Sequence, residues 1–418
     1  MNEQIKQRIT QLNNGEVPNG YEKTEIGTFP VGWKTTTLDK LLEFKNGVNA
    51  DKEKYNSGVK MISVMDILTD SPIYYDKIKG QVDIDEKTLD TYSATYGDIL
   101  FQRSSETFED AGKSNVYLDK DRTATYSGFV IRGKKKADYN PYFLNEALRI
   151  GQVRNQIIRN AAGSQHINVG QDSLSKIVVP LAPDAEQARI AEILMKWDEA
   201  VVLYDGLIKA IETKRTHFIK QITIKSSNWK TYSLMDILEE FIEYTTVNNQ
   251  HEVLSSTKQG LLAQSEYFDK QVASENNVGY KVIRRGNLVL SPQNLWLGNI
   301  NYNDSFEVGI VSPSYKIFRI KDGFDKTLVS TIMKLPIMLH KYVLSSEQGA
   351  SVVRRNLNMD LFYQITVSLP DLKTQQKLGN VIATINNQIL LYQAELDTIK
   401  KQRKTLQQYL LNGIVRVK

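Results

Sequence analysis

The side chains best suited to recognition chemistry in this chain are Arg, Gln, Asn, Ser and Lys gathered in short polar stretches. One stretch holds Gln102, Arg103 and Ser104, another Ser164, Gln165, His166 and Asn168, and Lys134 and Lys135 fall between them. A second set follows later in the chain: Arg284 and Arg285, then Ser291, Gln293 and Asn294, then Arg354, Arg355, Asn356 and Asn358. Arg, Gln and Asn can make bidentate hydrogen bonds to base edges in the major groove, whereas Lys, Ser and backbone amides suit phosphates. Taken singly, each stretch reads first as a solvated loop. Their recurrence in two matching sets favours binding, because a duplicated reader suits a ligand that is itself bipartite, such as DNA with two half-sites.

Catalytic chemistry finds no comparable pattern. The sequence has no phosphate-cradling glycine loop, no zinc-ligand spacing and no nucleophile elbow, and His166, His217, His251 and His340 stand singly. Asn140, Pro141, Tyr142 and Phe143 are similar to the Asn-Pro-Pro-aromatic motif of amino-methyltransferases. The second proline is missing, however, and no glycine-rich turn nearby could hold the methyl donor, so Pro141 is expected near the first turn of a helix. Glu239 and Glu240 are expected on the solvated face of a short helix. Cysteine is absent, which excludes disulfides and thiolate metal sites and fits a reducing compartment. The expectation is therefore a chain with no catalytic or metal-ligating residues.

The elements that would carry the polar stretches must be spread over several domains. At 418 residues and about 150 residues per domain, two to three cores are expected. Apolar residues make up 41% and charged residues 24%, a globular balance, and 53 Lys+Arg against 48 Asp+Glu permit a polyanionic partner without demanding one. No apolar run approaches the length of about 20 residues that spans a bilayer, and the N-terminal stretch lacks a signal core. A cytoplasmic protein without membrane contact is expected.

Two helical patterns, Glu186–Ile222 and Thr374–Leu410, superpose without a gap at a spacing of 188 positions. Gln187 matches Gln375, Tyr204 matches Tyr392 and Arg215 matches Arg403. In the first, Trp197, Val201, Tyr204, Ile208, Ile211, Arg215 and Phe218 alternate in steps of four and three; in the second, Ile385, Ile389, Tyr392, Leu396, Ile399, Arg403 and Leu406 do the same. Such heptad seams need a partner, and the domain-sized connection between the helices favours antiparallel packing as a coiled coil. An Arg at the same register of both seams fixes the pairing through a buried partner or lies over the edge with its head in water. Asp184 and Asp371 are placed to cap the helices.

The repeat continues outside the helices. Trp33-Lys34-Thr35 matches Trp229-Lys230-Thr231, each followed by a short amphipathic helix, and Gly97-Asp98-Ile99 matches Gly286-Asn287-Leu288, each a turn leading into a buried strand. The expected fold is α+β: two mixed α/β recognition domains separated by two long antiparallel coiled-coil helices, with an internal pseudo-twofold repeat and near-circular topology. The corresponding boundaries are an N-terminal segment at 1–27 packing near the C-terminus, domains at 28–181 and 225–370, and helices within 182–224 and 371–418.

This ordered set of features resembles the specificity subunit of type I restriction-modification systems over nearly the whole chain. The signals are the stretch Thr24–Trp33, Gly-Asp-Ile-Leu at 97–100, Gly163-Ser164-Gln165 and Glu186-Gln187-Ala188-Arg189-Ile190, with the order repeated. The second copy departs from it with Gly-Ala-Ser at 349–351 and Thr-Gln-Gln-Lys-Leu at 374–378. The resemblance implies target recognition domains that each read half of a split double-stranded DNA sequence, and a helix pair that sets the gap and docks two methyltransferase subunits. It further implies that those partners bind S-adenosylmethionine and methylate adenine at N6, while restriction motor-nuclease subunits hold ATP and Mg. On the residues alone, the rival is a duplicated coiled-coil adaptor whose loops bind protein.

Overall fold

The computed structural model describes residues 3–163, 166–222, 228–258, 260–267, 276–348 and 355–417. The chain divides into two compact units, Met1–Asp205 with Glu395–Lys418, and Gly206–Ala394. Two long helices, Asp184–Ile222 and Leu372–Leu411, contribute residues to both. Among the described residues no helix is long and apolar enough to cross a membrane.

In the first unit the strand Lys34–Thr37 pairs antiparallel with Val178–Leu181. This closes the ends of the domain against each other just before the first long helix. One helical turn, Leu38–Leu41, leads directly into the strand Leu42–Asn46. A four-stranded antiparallel sheet follows in the order Leu42–Asn46, Val130–Lys135, Ile99–Gln102 and Ser114–Val116. Its strand Ile99–Gln102 is buried throughout, because Ile99 and Phe101 face one apolar cluster and Leu100 faces another around Ile62, Tyr117 and Tyr126. Burial on both faces explains why the sequence shows a continuous apolar run there instead of alternation.

The second unit uses the same order of elements. Lys230–Ser233 pairs with Thr366–Leu369, and the helical turn Leu234–Ile237 leads into the strand Leu238–Glu240. The sheet runs Leu238–Glu240, Lys316–Ile320, Asn287–Leu290 and Ile300–Tyr302. Leu288 and Leu290 face one cluster and Val289 the other. The expected helix through Glu239 and Glu240 is corrected here: after one turn, consecutive apolar residues at Ile237 and Leu238 are both buried, which a sheet edge accommodates by handing the chain to a strand. Glu240 then meets Lys316 of the neighbouring strand at 2.6 Å.

The beginning and the end of the chain meet in the first unit. The Tyr21 hydroxyl donates to the Gly413 carbonyl and the Arg8 guanidinium to the Ile414 carbonyl. The helix Glu3–Asn13 thereby lies beside the residues that follow the second long helix.

Candidate nucleic-acid interface

A shared turn launches the central strand of each sheet. Gly97 and Gly286 adopt φ of +92° and +89°, a left-handed conformation that glycine takes without steric cost. The next residue closes the turn: Asp98 Oδ2 accepts from the Thr95 amide at 2.9 Å, and Asn287 Oδ1 accepts from the Arg284 amide at 2.8 Å. Burial pushes the Asp98 carboxyl above its ordinary range. Four residues further on, each strand leaves its sheet into a polar loop.

In the first unit that loop includes Gln102, Arg103 and Ser104, and the structure brings it against His166 and Asn168. The short strand Ser104–Ser105 pairs with Ile167–Asn168, and Ser104 Oγ donates to Asn168 Oδ1 at 2.5 Å. Arg103 is held by its backbone, donating to the Phe129 carbonyl and accepting from Val169, both at 2.9 Å, while its Nη1 reaches the Gly128 carbonyl at 3.3 Å. Gln102 is buried, with Nε2 donating to the Ser104 carbonyl at 2.9 Å and Oε1 left without a hydrogen-bond partner among the described residues. His166 and Asn168 are exposed. Ser164 and Gln165 lie outside the described residues.

Lys134 and Lys135 do not join this group. Their strand pairs Val130 with Gln102 and Gly133 with Ile99, so the lysines lie beyond the opposite end of the central strand. Three residues of strand separate those ends, about 10 Å. Lys134 faces Glu43, and the Lys135 ammonium lies 5.0 Å from the Tyr139 ring centre. One group that the sequence reading overlooked does join: Phe129, 64% exposed, projects where its carbonyl binds Arg103. Its place in an apolar strand pattern disguised it as core.

The second unit repeats the arrangement with different side chains. Ser291, Gln293 and Asn294 leave the strand Asn287–Leu290, and the Arg355 amide donates to the Gln293 carbonyl at 3.3 Å. The Arg355 guanidinium sits 5.2 Å from the Trp296 ring centre, within cation–π range, and Nη1 approaches the Val343 carbonyl at 3.5 Å. Asn356 is exposed, whereas Asn358 caps the helix Met359–Gln364 by accepting from Asp360 and Leu361. Ser291 is buried and its amide binds the Asn299 carbonyl at 3.1 Å. Arg354 lies outside the described residues. Arg284 and Arg285 stand at the far end of the sheet, engaged with carboxylates: Arg284 clasps Glu243 at 2.9 and 2.7 Å, and Arg285 binds Glu307 at 2.9 Å. Hydrogen bonding from Arg284 holds Glu243 below its usual range.

Residues 30–213 match the family model of the type I restriction modification DNA specificity domain. The chain carries this match over less than half of its length. It is similar to the type I restriction enzyme MjaX specificity subunit of Methanocaldococcus jannaschii, with 24% identity over 95% of this chain and 97% of that protein. In fold it is similar to the S subunit of a type I restriction-modification system from M. genitalium, with a TM-score of 0.54 and 14% identity over 94% of this chain and 97% of that one. A chain from a structure describing complex assembly and conformational transition of the type I R-M system has a TM-score of 0.54 and 13% identity, over 92% of this chain and 98% of that one.

The long helices are keyed to their domains by matched glutamines. Gln187 Oε1 accepts from the Asn140 amide at 2.9 Å while Nε2 donates to the Ala182 carbonyl at 2.7 Å; Gln375 Oε1 accepts from Asp325 at 3.1 Å while Nε2 donates to Pro370 at 2.9 Å. Asn140 and Asp325 are themselves N-caps, of helices Pro141–Ala147 and Lys326–Met333. The Pro141 helix start expected from sequence is therefore present. Asp371 caps the second long helix, its Oδ1 accepting from Thr374 at 3.1 Å.

The seam positions are shielded along both helices, as are others such as Leu194, Ile219 and Ile382. Trp197, Val201, Tyr204, Ile208, Ile211, Arg215 and Phe218 are half-buried or buried, as are Ile385, Ile389, Tyr392, Leu396, Ile399, Arg403 and Leu406. Arg403 is the better partnered of the two seam arginines, binding Asp198 at 2.8 Å and Glu146 at 2.7 Å. Burial opposes its charge, but Glu146, Tyr142 and Asp198 outweigh that and raise its affinity for the proton. Sequence periodicity located the arginine, but not the acids that hold it.

Proposed function

We propose that this specificity subunit reads a bipartite double-stranded DNA target, one half with residues 28–181 and the other with residues 225–370. The observation that carries the reading is the convergence, in each unit, of the loop leaving the central strand with a later polar segment: Ser104 with Asn168, and Gln293 with Arg355. Base contacts come from these converged loops. The basic ends of the sheets, Lys134 with Lys135 and Arg284 with Arg285, serve phosphates, the lysines as point charges and the arginines by exchanging their carboxylates for phosphate oxygens.

The helices within 182–224 and 371–418 pair antiparallel as a coiled-coil spacer between pseudo-symmetric halves, and residues 1–27 complete a near-circular chain. They also dock two methyltransferase subunits, and restriction motor-nuclease subunits join the assembly in the cytoplasm. Support for docking comes from Val202, Leu203, Leu390 and Leu391, which are all more than half exposed beside the shielded seam. The chain itself is non-catalytic: its partners bind S-adenosylmethionine, ATP and Mg and transfer the methyl group to adenine N6.

Methylation mapping of host DNA with and without this chain tests the reading. Methyl marks on a split sequence should depend on it, and the purified chain alone should neither methylate nor cut. Methyl transfer by the isolated chain, or marks that persist without it, overturns the proposal. A spacer role is tested by adding one heptad to each helix, inside 197–222 and 385–410. Seven residues lengthen each helix by about 10 Å and keep the seam in phase. At about 3.4 Å per base pair, the preferred gap should grow by up to roughly three base pairs with both half-sequences unchanged. An unchanged gap means that the helices do not set it.

A further inference from the structure

The matched arginines of the two long helices sit in surroundings of opposite charge balance. Counting from the N-caps Asn140 and Asp325, residues Tyr142, Glu146 and Arg149 of the first unit correspond to Thr327, Thr331 and Lys334 of the second. Along the long helices, Asp198 corresponds to Asn386 and Arg403 to Arg215. The first unit thus brings together two guanidiniums and two carboxylates. Glu146 bridges Arg403 at 2.7 Å and Arg149 at 3.1 Å, Asp198 holds Arg403 at 2.8 Å, and the Tyr142 hydroxyl donates to Asp198.

The second unit keeps both cations and replaces both acids. Arg215 Nε is buried with no hydrogen-bond partner among the described residues, and Lys334 Nζ donates to the neutral Asn301 Oδ1 at 2.5 Å. Both cations line a cavity of about 1030 Å³, together with the hydroxyls of Thr216, Thr327, Ser330 and Thr331 and the amide of Asn386. Asp304 also lines it and favours the charged form of Lys334, against burial and the nearby charge of Arg215, which lower the lysine's affinity for its proton. No ion pair joins Asp304 to either cation among the described residues. Lys334 is exposed, but the Arg215 Nε is shut off from water without a counter-charge, which is costly, so an anion reaching it is favoured by more than a surface ion pair would be.

We propose that this cavity of the second unit is an oxyanion site, which seats a carboxylate or phosphate group of a small molecule between Arg215 and Lys334, as Glu146 is seated between Arg403 and Arg149. Ser330 and Thr331 already donate to the Thr327 carbonyl, so the further donors offered to such an oxyanion are the Thr327 hydroxyl and the Asn386 amide of the lining. The inference rests on the residues of this unit alone and is independent of DNA reading.

The test is thermal unfolding of the full chain, titrated with sodium phosphate in one series and sodium succinate in another, with ionic strength held constant by sodium chloride. A ligand that binds only the folded state raises Tm with concentration. The wild type should respond to at least one of the two probes, and which one responds identifies the oxyanion. Arg215→Gln should lose that response. Thr331→Glu, which installs the acid of the first unit, should raise Tm in chloride alone and also abolish the response. A wild type indifferent to both probes overturns the site. So does an equal response in wild type and Thr331→Glu, which would place the anions elsewhere, and this arm stands even if Arg215→Gln fails to fold.

Discussion

Trp33 and Trp229 begin matching sequence stretches, yet only the first is locked in place. Trp33 is 5% exposed, stacks on Phe29, meets Phe143 edge-on, and donates from Nε1 to Glu186 at 2.9 Å. Glu186 in turn is clasped by Arg416 at 2.7 and 2.9 Å, a residue beyond the end of the second long helix. At the position matching Glu186 the second unit has Thr374, whose hydroxyl bonds the nearby Asp371 at 2.7 Å, and Trp229 is only half-buried. Residues after the second long helix complete the first site. A repeat in sequence therefore does not give a repeat in anchoring, because a distant segment completes the first site whereas Thr374, in the matching place, binds Asp371 at its own helix start.

The largest expected consequence of that difference is in stability. Trp33→Ala should cost about 3–5 kcal/mol, since it removes a buried ring and one of the donors to Glu186, whereas Trp229→Ala should cost about 1 kcal/mol. Urea unfolding of the two variants measures the contrast. Equal losses would mean that the tail adds nothing to the first site.

Next comes acid sensitivity. Burial opposes the Glu186 charge, but hydrogen bonds from Arg416 and Trp33 outweigh it and hold the carboxyl below its ordinary value of 4.5. A depressed folded-state pKa contributes stability that is complete above the unfolded value and is lost as pH falls through the folded one. Urea midpoints should therefore drop more steeply for wild type than for Arg416→Gln below pH of about 4.5. Parallel pH profiles would disconnect Arg416 from the Glu186 charge.

DNA reading should separate the units in a third way. Replacing Gln102 and Arg103 with Ala should relax one half of the target, and replacing Arg354 and Arg355 the other, each lost base contact weakening binding by about 1–3 kcal/mol. Competition binding with DNA altered in one half-site at a time reads this out, and equal relaxation of both halves would break the modular assignment. The smallest effect should come from Arg285→Ala. Its partner Glu307 is 84% exposed, so stability should change by about 0–1 kcal/mol, while the salt dependence of DNA binding should flatten if Arg285 meets a phosphate. An unchanged salt slope would remove Arg285 from the interface.

Periodicity and turn chemistry made much of this fold legible. The residues at the seam positions are buried or half-buried, and the Gly97 and Gly286 turns launch buried strands. Proline at 141 starts a helix, as its lack of an amide hydrogen and its fixed φ suggest. The short helices after the tryptophans were over-extended in the sequence reading, since one helical turn and the first residues of an edge strand have the same apolar spacing. The Glu146–Arg403–Asp198 group was invisible for another reason: the arginine is 257 and 205 positions from its two acids, and nothing local in the chain records which acid a distant arginine meets. In the candidate interface, sequence could name the polar loops but not sort them. Sheet register decides that Gln102 lies with Asn168 and away from Lys134, and register is set by cross-strand contacts rather than by the loop residues themselves.

The glutamine that joins each long helix to its domain has a torsional consequence. Gln187 binds the domain with both ends of one amide, so it sets the angle at which the helix leaves the domain as well as the point of departure. An α-helix turns by about 100° per residue while advancing about 1.5 Å. One residue inserted just after Gln187 would hardly lengthen the helix, yet it would put Trp197 in the place of Asp198, against Arg403 and Tyr142, and Leu203 in the shielded place of Tyr204. The connection behaves like a keyed shaft: it tolerates small changes in length and resists changes in phase, so insertions that keep whole heptads are the ones this chain can accept.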